Sequence, residues 1–238
     1  MKPSTIAIDG PAASGKSTIG FHLAEQLNYL FLDTGVLYRA ATWAVQAHGL
    51  DVDDEASVTQ RAQEVDIQVL PISVDDGRQY TVHVDGQDVT WELRSSRVEG
   101  AVSIVSAYAG VRDALTRRMR EIAGRGRVVM VGRDIGTVVI PDADLKLYVV
   151  ASAEARAERR HQEIRTKCRQ SGCDDTVTYE EVLAGIRERD RIDSQRETAP
   201  LRPASDAILF DTTELSIEAM FDEVVRLVNA CDTQGDET

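Results

Sequence analysis

Residues 10–17, "GPAASGKS", satisfy the spacing G-x-x-x-x-G-K-[ST]. Each part of that spacing has a chemical use. Gly10 and Gly15 let the backbone bend so that successive N–H groups converge on phosphate oxygens. Lys16 supplies a mobile cation for β- and γ-phosphates, and the Ser17 hydroxyl can face Mg2+. Pro11, Ala12, Ala13 and Ser14 make up the turn itself. Thr18 follows into a helix whose positive end adds to the attraction. A glycine-rich turn without a ligand is the alternative. The strand before the loop and the helix after it, both of which the motif requires, weigh against that alternative.

Three further segments carry groups suited to phosphate chemistry. "LDTGVLYR" (32–39) carries Thr34 and Arg39, and "VGRDIGTVV" (131–139) carries Arg133 and Asp134. "RERDRIDSQRETAPL" (187–201) carries Arg187, Arg189, Asp190, Arg191, Asp193 and Arg196. In an open parallel sheet the ligand sits at the carboxyl ends of the strands, so the first two segments fall beside the loop. Phosphoryl transfer needs positive charge spread over two phosphate groups and exclusion of water. Converging arginines and an Arg-rich helical flap meet that need. Four of the 27 basic residues are lysines, which leaves 23 arginines. Most of these read as surface charge; position favours a functional reading for Arg39, Arg133 and Arg196.

The elements that must position these groups follow from the apolar pattern. "STIAIDG" (4–10) reads as a strand, "STIGFHLAEQLN" (17–28) as a helix, "YLFLDTG" (29–35) as a strand and "VLYRAATWAVQAHG" (36–49) as a helix closed by Gly49. "RVVMVGRD" (127–134), "DLKLYVVAS" (144–152) and "DAILFDTT" (206–213) are near-continuous apolar runs of strands buried on both faces. "LSIEAMFDEVVRLVNA" (215–230) reads as a closing amphipathic helix. This order predicts an α/β fold with a parallel sheet and crossover helices. Residues 66–90 alternate with period two and contain Asp76-Gly77 and Asp85-Gly86, so they predict a small antiparallel meander. Residues 153–196 predict a long charged helical stretch, interrupted by "CRQSGCDDTVT", and 231–238 a frayed tail.

Composition narrows the class. The net charge of −13 argues against generic nucleic-acid binding, which wants a basic face. The N-terminus lacks the segments of a signal peptide and no apolar run approaches a membrane span. Cys168, Cys173 and Cys231 are few and odd in number, which suggests unremarkable thiols in a reducing cytosol. His161 with Cys168 and Cys173 lacks the spacing and the second ligand pair of a zinc site. There is no Asn-Lys-x-Asp base reader of a GTPase. Nor is there an apolar run ending in Asp-Glu, as in an oligomeric ATPase.

On these segments, together with "DVTWELRSSRVEGAVSIVSAYAGVRDAL" and "DTTELSIEAM", the chain resembles the bacterial cytidylate kinases over nearly its whole length. The insertion at 66–90 followed by "DVTWELRS" sets that family apart from similar adenylate kinases. The resemblance implies the three-layer P-loop fold in a single domain, 1–238. It also implies a monophosphate-binding insertion at about 63–95 and a lid at about 153–196. ATP, with Mg2+, would be held by Gly10 through Thr18, and CMP or dCMP would be the acceptor. Lys16, Arg133 and Arg196 would be catalytic. Arg39, Arg133 and Arg196 would surround the transferring phosphate and the CMP phosphate, with Thr34 near the base and phosphate. Ser103, Arg112 and Asp134 would read the cytosine, whose amino donor and O2/N3 acceptors suit a carboxylate and an arginine. Asp193, with Arg189, would meet the ribose hydroxyls.

A cytoplasmic monomer with no nucleic-acid or membrane partner is expected. Asp134 keeps a competing role near Mg2+, because it follows a strand as a Walker-B acid does. Met119-Arg120 stands where the family often has Gln-Arg, a change of packing rather than chemistry. A P-loop kinase for shikimate, uridylate or another acceptor, and a non-catalytic nucleotide-binding module, are the other readings.

Overall fold

Apolar runs become the inner strands of a sheet. The computed structural model describes residues 2–70, 72–171 and 177–233. The chain runs β1 (Thr5–Asp9), α1 (Lys16–Leu27), β2 (Leu30–Asp33), α2 (Gly35–Ala47), α3 (Glu55–Glu64), β3 (Ile67–Leu70), β4 (Thr81–Val84) and β5 (Gln87–Asp88). It continues with α4 (Ser96–Val105), α5 (Ala109–Ala123), β6 (Val128–Gly132), β7 (Leu145–Val150), α6 (Ala153–Ser171), α7 (Tyr179–Gln195), β8 (Ile208–Asp211) and α8 (Ile217–Thr233). A 3-10 turn at Glu92–Arg94 and a π-helical turn at Ile135–Val139 complete it. By internal contacts, residues 1–31 and 125–238 form one compact unit and residues 32–124 a second.

In the first unit the five-stranded sheet has the order β2-β6-β1-β7-β8. Strand β1 is parallel to β6 and β7, and β7 is parallel to β8. Every residue of β6 is buried, which explains a run with no polar alternation. Ile6, Ile8, Val129, Val131 and Leu147 pack with Ile19 and Leu23 of α1 and Val224 and Val228 of α8. The register sets Asp9 opposite Gly132. The loop that starts at Gly10 and the segment that starts at Arg133 therefore leave neighbouring strand ends at one level. Helix α7 opens with a full capping box, Thr178 with Glu181.

In the second unit a core of Val36, Ala40, Ala44, Val65, Val82, Val84 and Leu93 joins α2 to the antiparallel sheet β3-β4-β5. The β4–β5 hairpin closes on Asp85 and Gly86, both at positive φ (50° and 82°), as a primed turn requires. The Asp76-Gly77 pair does not close a hairpin. Arg78 grips the Asp76 and Asp88 carboxylates at 2.7 Å each, and the Trp91 indole donates to Asp76 at 2.9 Å. That carboxylate therefore ties a longer β3–β4 connection down. The region expected at about 63–95 lies inside this unit. Helices α3 and α5 approach so closely that a Cβ on Gly110 would lie 2.3 Å from Thr59 Cγ2.

Two expectations change. Cys168 is disulfide-bonded, whereas Cys231 is a free thiol. An odd cysteine count leaves room for one bond and one thiol, so it never excluded pairing. Cys173 lies outside the described residues. Helix α8 continues to Thr233, so part of the expected tail at 231–238 is helical; residues 234–238 lie outside the described residues. Among the described residues, no helix is long and apolar enough to cross a membrane. None of their His, Cys, Asp and Glu side chains group as a metal site.

Candidate active site

The loop between β1 and α1 turns sharply as it leaves the strand. Gly10 has φ 149°, and a Cβ there would lie 2.0 Å from the Val149 carbonyl oxygen, so no other residue fits. The Lys16 side chain is buried, and its ammonium donates to the Pro11 carbonyl at 2.7 Å. Thr212, in the turn after β8, is fully buried and donates to the Ser14 carbonyl at 3.0 Å. Arg159 of α6 donates in turn to the Thr212 hydroxyl at 3.2 Å. The loop is thus braced by side chains from distant elements. The hydroxyl of Ser17 stands in the first turn of α1, partly exposed. As a hard oxygen donor it suits Mg2+, which takes few protein ligands and keeps phosphate and water oxygens.

One buried carboxylate organises the segment after β6. Asp9, the last residue of β1, accepts from the N–H groups of Ile135 and Gly136, both at 2.8 Å. These are the first N–H groups of the π-helical turn, and such groups have no partner within a helix. One carboxylate caps them from across the sheet and so fixes the segment that presents Arg133 and Asp134. Burial pushes Asp9 up to about 6. Its two N–H bonds and the Lys16 charge act against that rise, and the Asp134 charge adds to it.

The sign of the linkage is definite. Folded Asp9 holds its proton more tightly than the unfolded chain does. Stability from this group therefore falls as pH rises from about 4 to about 6, by about 3 kcal/mol. Above pH 6 the Ile135 and Gly136 N–H groups and the Lys16 charge support the ionised carboxylate against that cost. Asp9→Asn keeps the shape but turns an NH2 donor toward one of the two N–H groups. We expect turnover at pH 7.5 to fall about 10- to 100-fold, the loss of one charge-assisted bond and its replacement by a repulsion. Lys16, Asp134 and Tyr148 also face this carboxyl. The wild type should lose activity as pH drops through about 6, and the Asn variant should lack that limb. Paired pH–rate profiles from 4.5 to 8 check both points.

Arg133, Asp134, Asp193 and Arg196 come together in the first unit. The Arg133 Nε donates to Asp193 Oδ2 at 2.8 Å. Arg196 lies 3.9 Å from Asp193 and 3.7 Å from Asp134, and its Nε donates to the Ala199 carbonyl at 2.6 Å. Burial pushes Asp193 up, but Arg133, Arg189 and Arg196 outweigh it and hold the carboxyl below its usual range. Asp134 is buried at 4% exposure.

Thr34, Arg39, Ser103 and Arg112 belong to the second unit. Thr34 is buried at the start of α2, and Arg39 lies one turn on. Arg112 is only 3% exposed. Its guanidinium stacks over the Tyr38 ring at 5.4 Å and donates to the Ser106 carbonyl at 3.1 Å. Ser103 is exposed on α4. Sequence context does not single out Tyr80. Burial first, then the nearby Asp33 charge, raises its hydroxyl, against Arg94 and Arg39. Arg39 and Arg94 thus share a partly buried patch with a tyrosine, a setting suited to a phosphate.

A β-loop-α turn with a buried lysine, beside arginines already assembled at a strand end, defines a P-loop phosphotransferase. The family model for cytidylate kinase matches residues 6–230, so the chain belongs to the cytidylate kinase family. It is 46% identical over 226 residues to a cytidylate kinase of Herpetosiphon aurantiacus, covering 95% of this chain and 94% of that one. It is 48% identical over 207 residues to that of Chloroflexus aggregans, covering 87% and 86%. For the cytidylate kinase of Bacillus subtilis the identity is 41% over 227 residues, covering 95% and 97%.

Proposed function

We propose that this enzyme transfers the γ-phosphate of ATP to CMP or dCMP, giving CDP or dCDP and ADP. The observation that carries the reading is membership of the cytidylate kinase family along residues 6–230. The braced loop and the Arg133–Asp193–Arg196–Asp134 chain supply the chemistry it needs. A phosphate oxygen of the acceptor attacks the γ-phosphorus. The bond from that phosphorus to the β–γ bridging oxygen breaks, and ADP leaves.

Lys16 stabilises the charge that grows on the bridging oxygen, and Gly10 through Thr18 cradle the donor. Arg133 and Arg196 spread positive charge over the transferring group. Thr34 and Arg39 hold the acceptor phosphate. Arg112, Ser103 and Asp134 recognise cytosine, and Arg189 and Asp193 the ribose. A magnesium ion brought with ATP would neutralise charge on the phosphate oxygens, held by the Ser17 hydroxyl. The chain acts as a cytoplasmic monomer in pyrimidine nucleotide metabolism, without nucleic-acid or membrane partners.

Initial rates with ATP and Mg2+ against CMP, dCMP, UMP, AMP and GMP test the acceptor. CMP or dCMP should lead by at least about 100-fold over the purine nucleotides, because a site built to hydrogen-bond the cytosine edge rejects a base that does not present it. Faster phosphorylation of UMP or AMP than of both cytidine nucleotides would overturn the assignment.

A further inference from the structure

Arg156 and Asp190 have no role in the proposed reaction, yet their geometry is specific. Arg156 sits in the first turn of α6 and is 4% exposed. Its Nε donates to the Ala151 carbonyl at 3.0 Å. Nη1 donates to Asp190 Oδ1 at 3.0 Å and Nη2 to Asp190 Oδ2 at 2.6 Å, a two-pronged pairing. Nη1 also reaches the Ala12 carbonyl at 3.3 Å. Ala12 is inside the phosphate loop.

That last contact has a stereochemical consequence. In a trans peptide the C=O and the following N–H point in opposite directions. A cation on the Ala12 oxygen therefore fixes where the Ala13 N–H points. The preceding carbonyl, that of Pro11, is held by Lys16, so two successive loop peptides are oriented by cations. Ala13 itself has φ 59°. That left-handed conformation costs a non-glycine residue about 1 kcal/mol or more, so something must hold it. Asp190 provides the other link. It lies on α7 between Arg189 and Asp193, one turn before the carboxylate that grips Arg133.

We infer that Arg156 is a positioning residue. With Asp190 it orients the Ala12–Ala13 peptide so that the Ala13 N–H meets the donor phosphates, and it makes that orientation depend on where α7 stands. Movement of α7 is then felt at the donor loop through one guanidinium. The inference rests on the reading that this loop binds ATP.

The test is calorimetric titration of ATP with Mg2+ into the full chain without acceptor, for wild type, Arg156→Lys, Arg156→Ala and Asp190→Asn. Lysine cannot fork between Asp190 and Ala12, so both Arg156 variants should lose ATP affinity by about tenfold or more. Asp190→Asn should lose about three- to tenfold. In steady state KM for ATP should rise in parallel while KM for the acceptor moves less. Added guanidinium should restore part of the loss in Arg156→Ala but not in Asp190→Asn. Thermal midpoints identify folded variants, and Asp190→Asn, nearly isosteric, serves if the Arg156 variants do not fold. ATP affinity within twofold of wild type in folded Arg156→Lys and Asp190→Asn would overturn the inference and leave the pair a structural tie. A wild type that binds no ATP would instead sink the reading of the loop.

Discussion

Lys16→Ala is expected to lower kcat by about 1,000-fold, or about 4 kcal/mol of transition-state stabilisation, while the chain stays folded. Lys16 is buried at 6% exposure, and its ammonium already bonds the Pro11 carbonyl at 2.7 Å. It is therefore held in place before any phosphate arrives, and little reorganisation is required when charge shifts to the leaving oxygen. The core contacts of α1 come from Ile19, Leu23 and Ala24, which the substitution does not touch. ATP binding should weaken less than kcat, because the loop N–H groups still hold the phosphates. A second effect follows from the Lys16 charge on Asp9, which helps to lower that carboxyl. Without Lys16 any residual activity should lose its acid limb at a higher pH than wild type. Single-turnover rates with saturating ATP, beside circular dichroism, check the main claim. Undiminished turnover would end the proposed mechanism.

Legibility of the chain divides along the range of the interactions. β1, β6 and β7 announce themselves because a strand buried on both faces needs consecutive apolar residues. The phosphate loop is legible because its chemistry is local. Helix α5 also carries a signal: Val111, Leu115 and Met119 repeat at helical spacing and are all buried. Helix α3 carries little, since only Val58 and Ala62 are buried along it.

The roles of Asp9 and Arg156 are not legible in the sequence. The partners of Asp9 lie 126 and 127 residues away, and an Asp before a glycine loop has no local mark. Arg156 sits in "EARAERR" with Arg159 and Arg160 close by. Arg156 turns in to the loop, Arg159 to Thr212, and Arg160 out to Glu163. Composition cannot separate three arginines whose roles depend on helix phase and on what stands opposite.

Arg133→Ala should cost about 100- to 1,000-fold in kcat, and Arg133→Lys at least about tenfold. The physical case lies in the alternation Arg133–Asp193–Arg196–Asp134. Two carboxylates hold two guanidiniums in place, so the cations are assembled before the phosphates come and need not be gathered against their mutual repulsion. Removing Arg133 takes away charge and also loosens Asp193, whose low pKa depends on Arg133 first among its three arginines. A carboxyl held below its usual value stabilises the fold above the ordinary carboxylate range and loses that contribution as pH falls. Arg133→Ala should therefore be less stable than wild type at neutral pH, and the difference should shrink toward pH 3. Asp193→Asn should behave differently. It leaves both guanidiniums present, so kcat should fall less than in Arg133→Ala, while KM for the nucleotide acceptor rises because the proposed ribose contact is lost. Steady-state constants for the three variants, with urea unfolding at pH 3 and 7, separate the two roles. If Arg133→Ala stays within threefold of wild type in kcat, Arg133 does not stabilise the transferring phosphate, and the charge at this strand end only anchors α7.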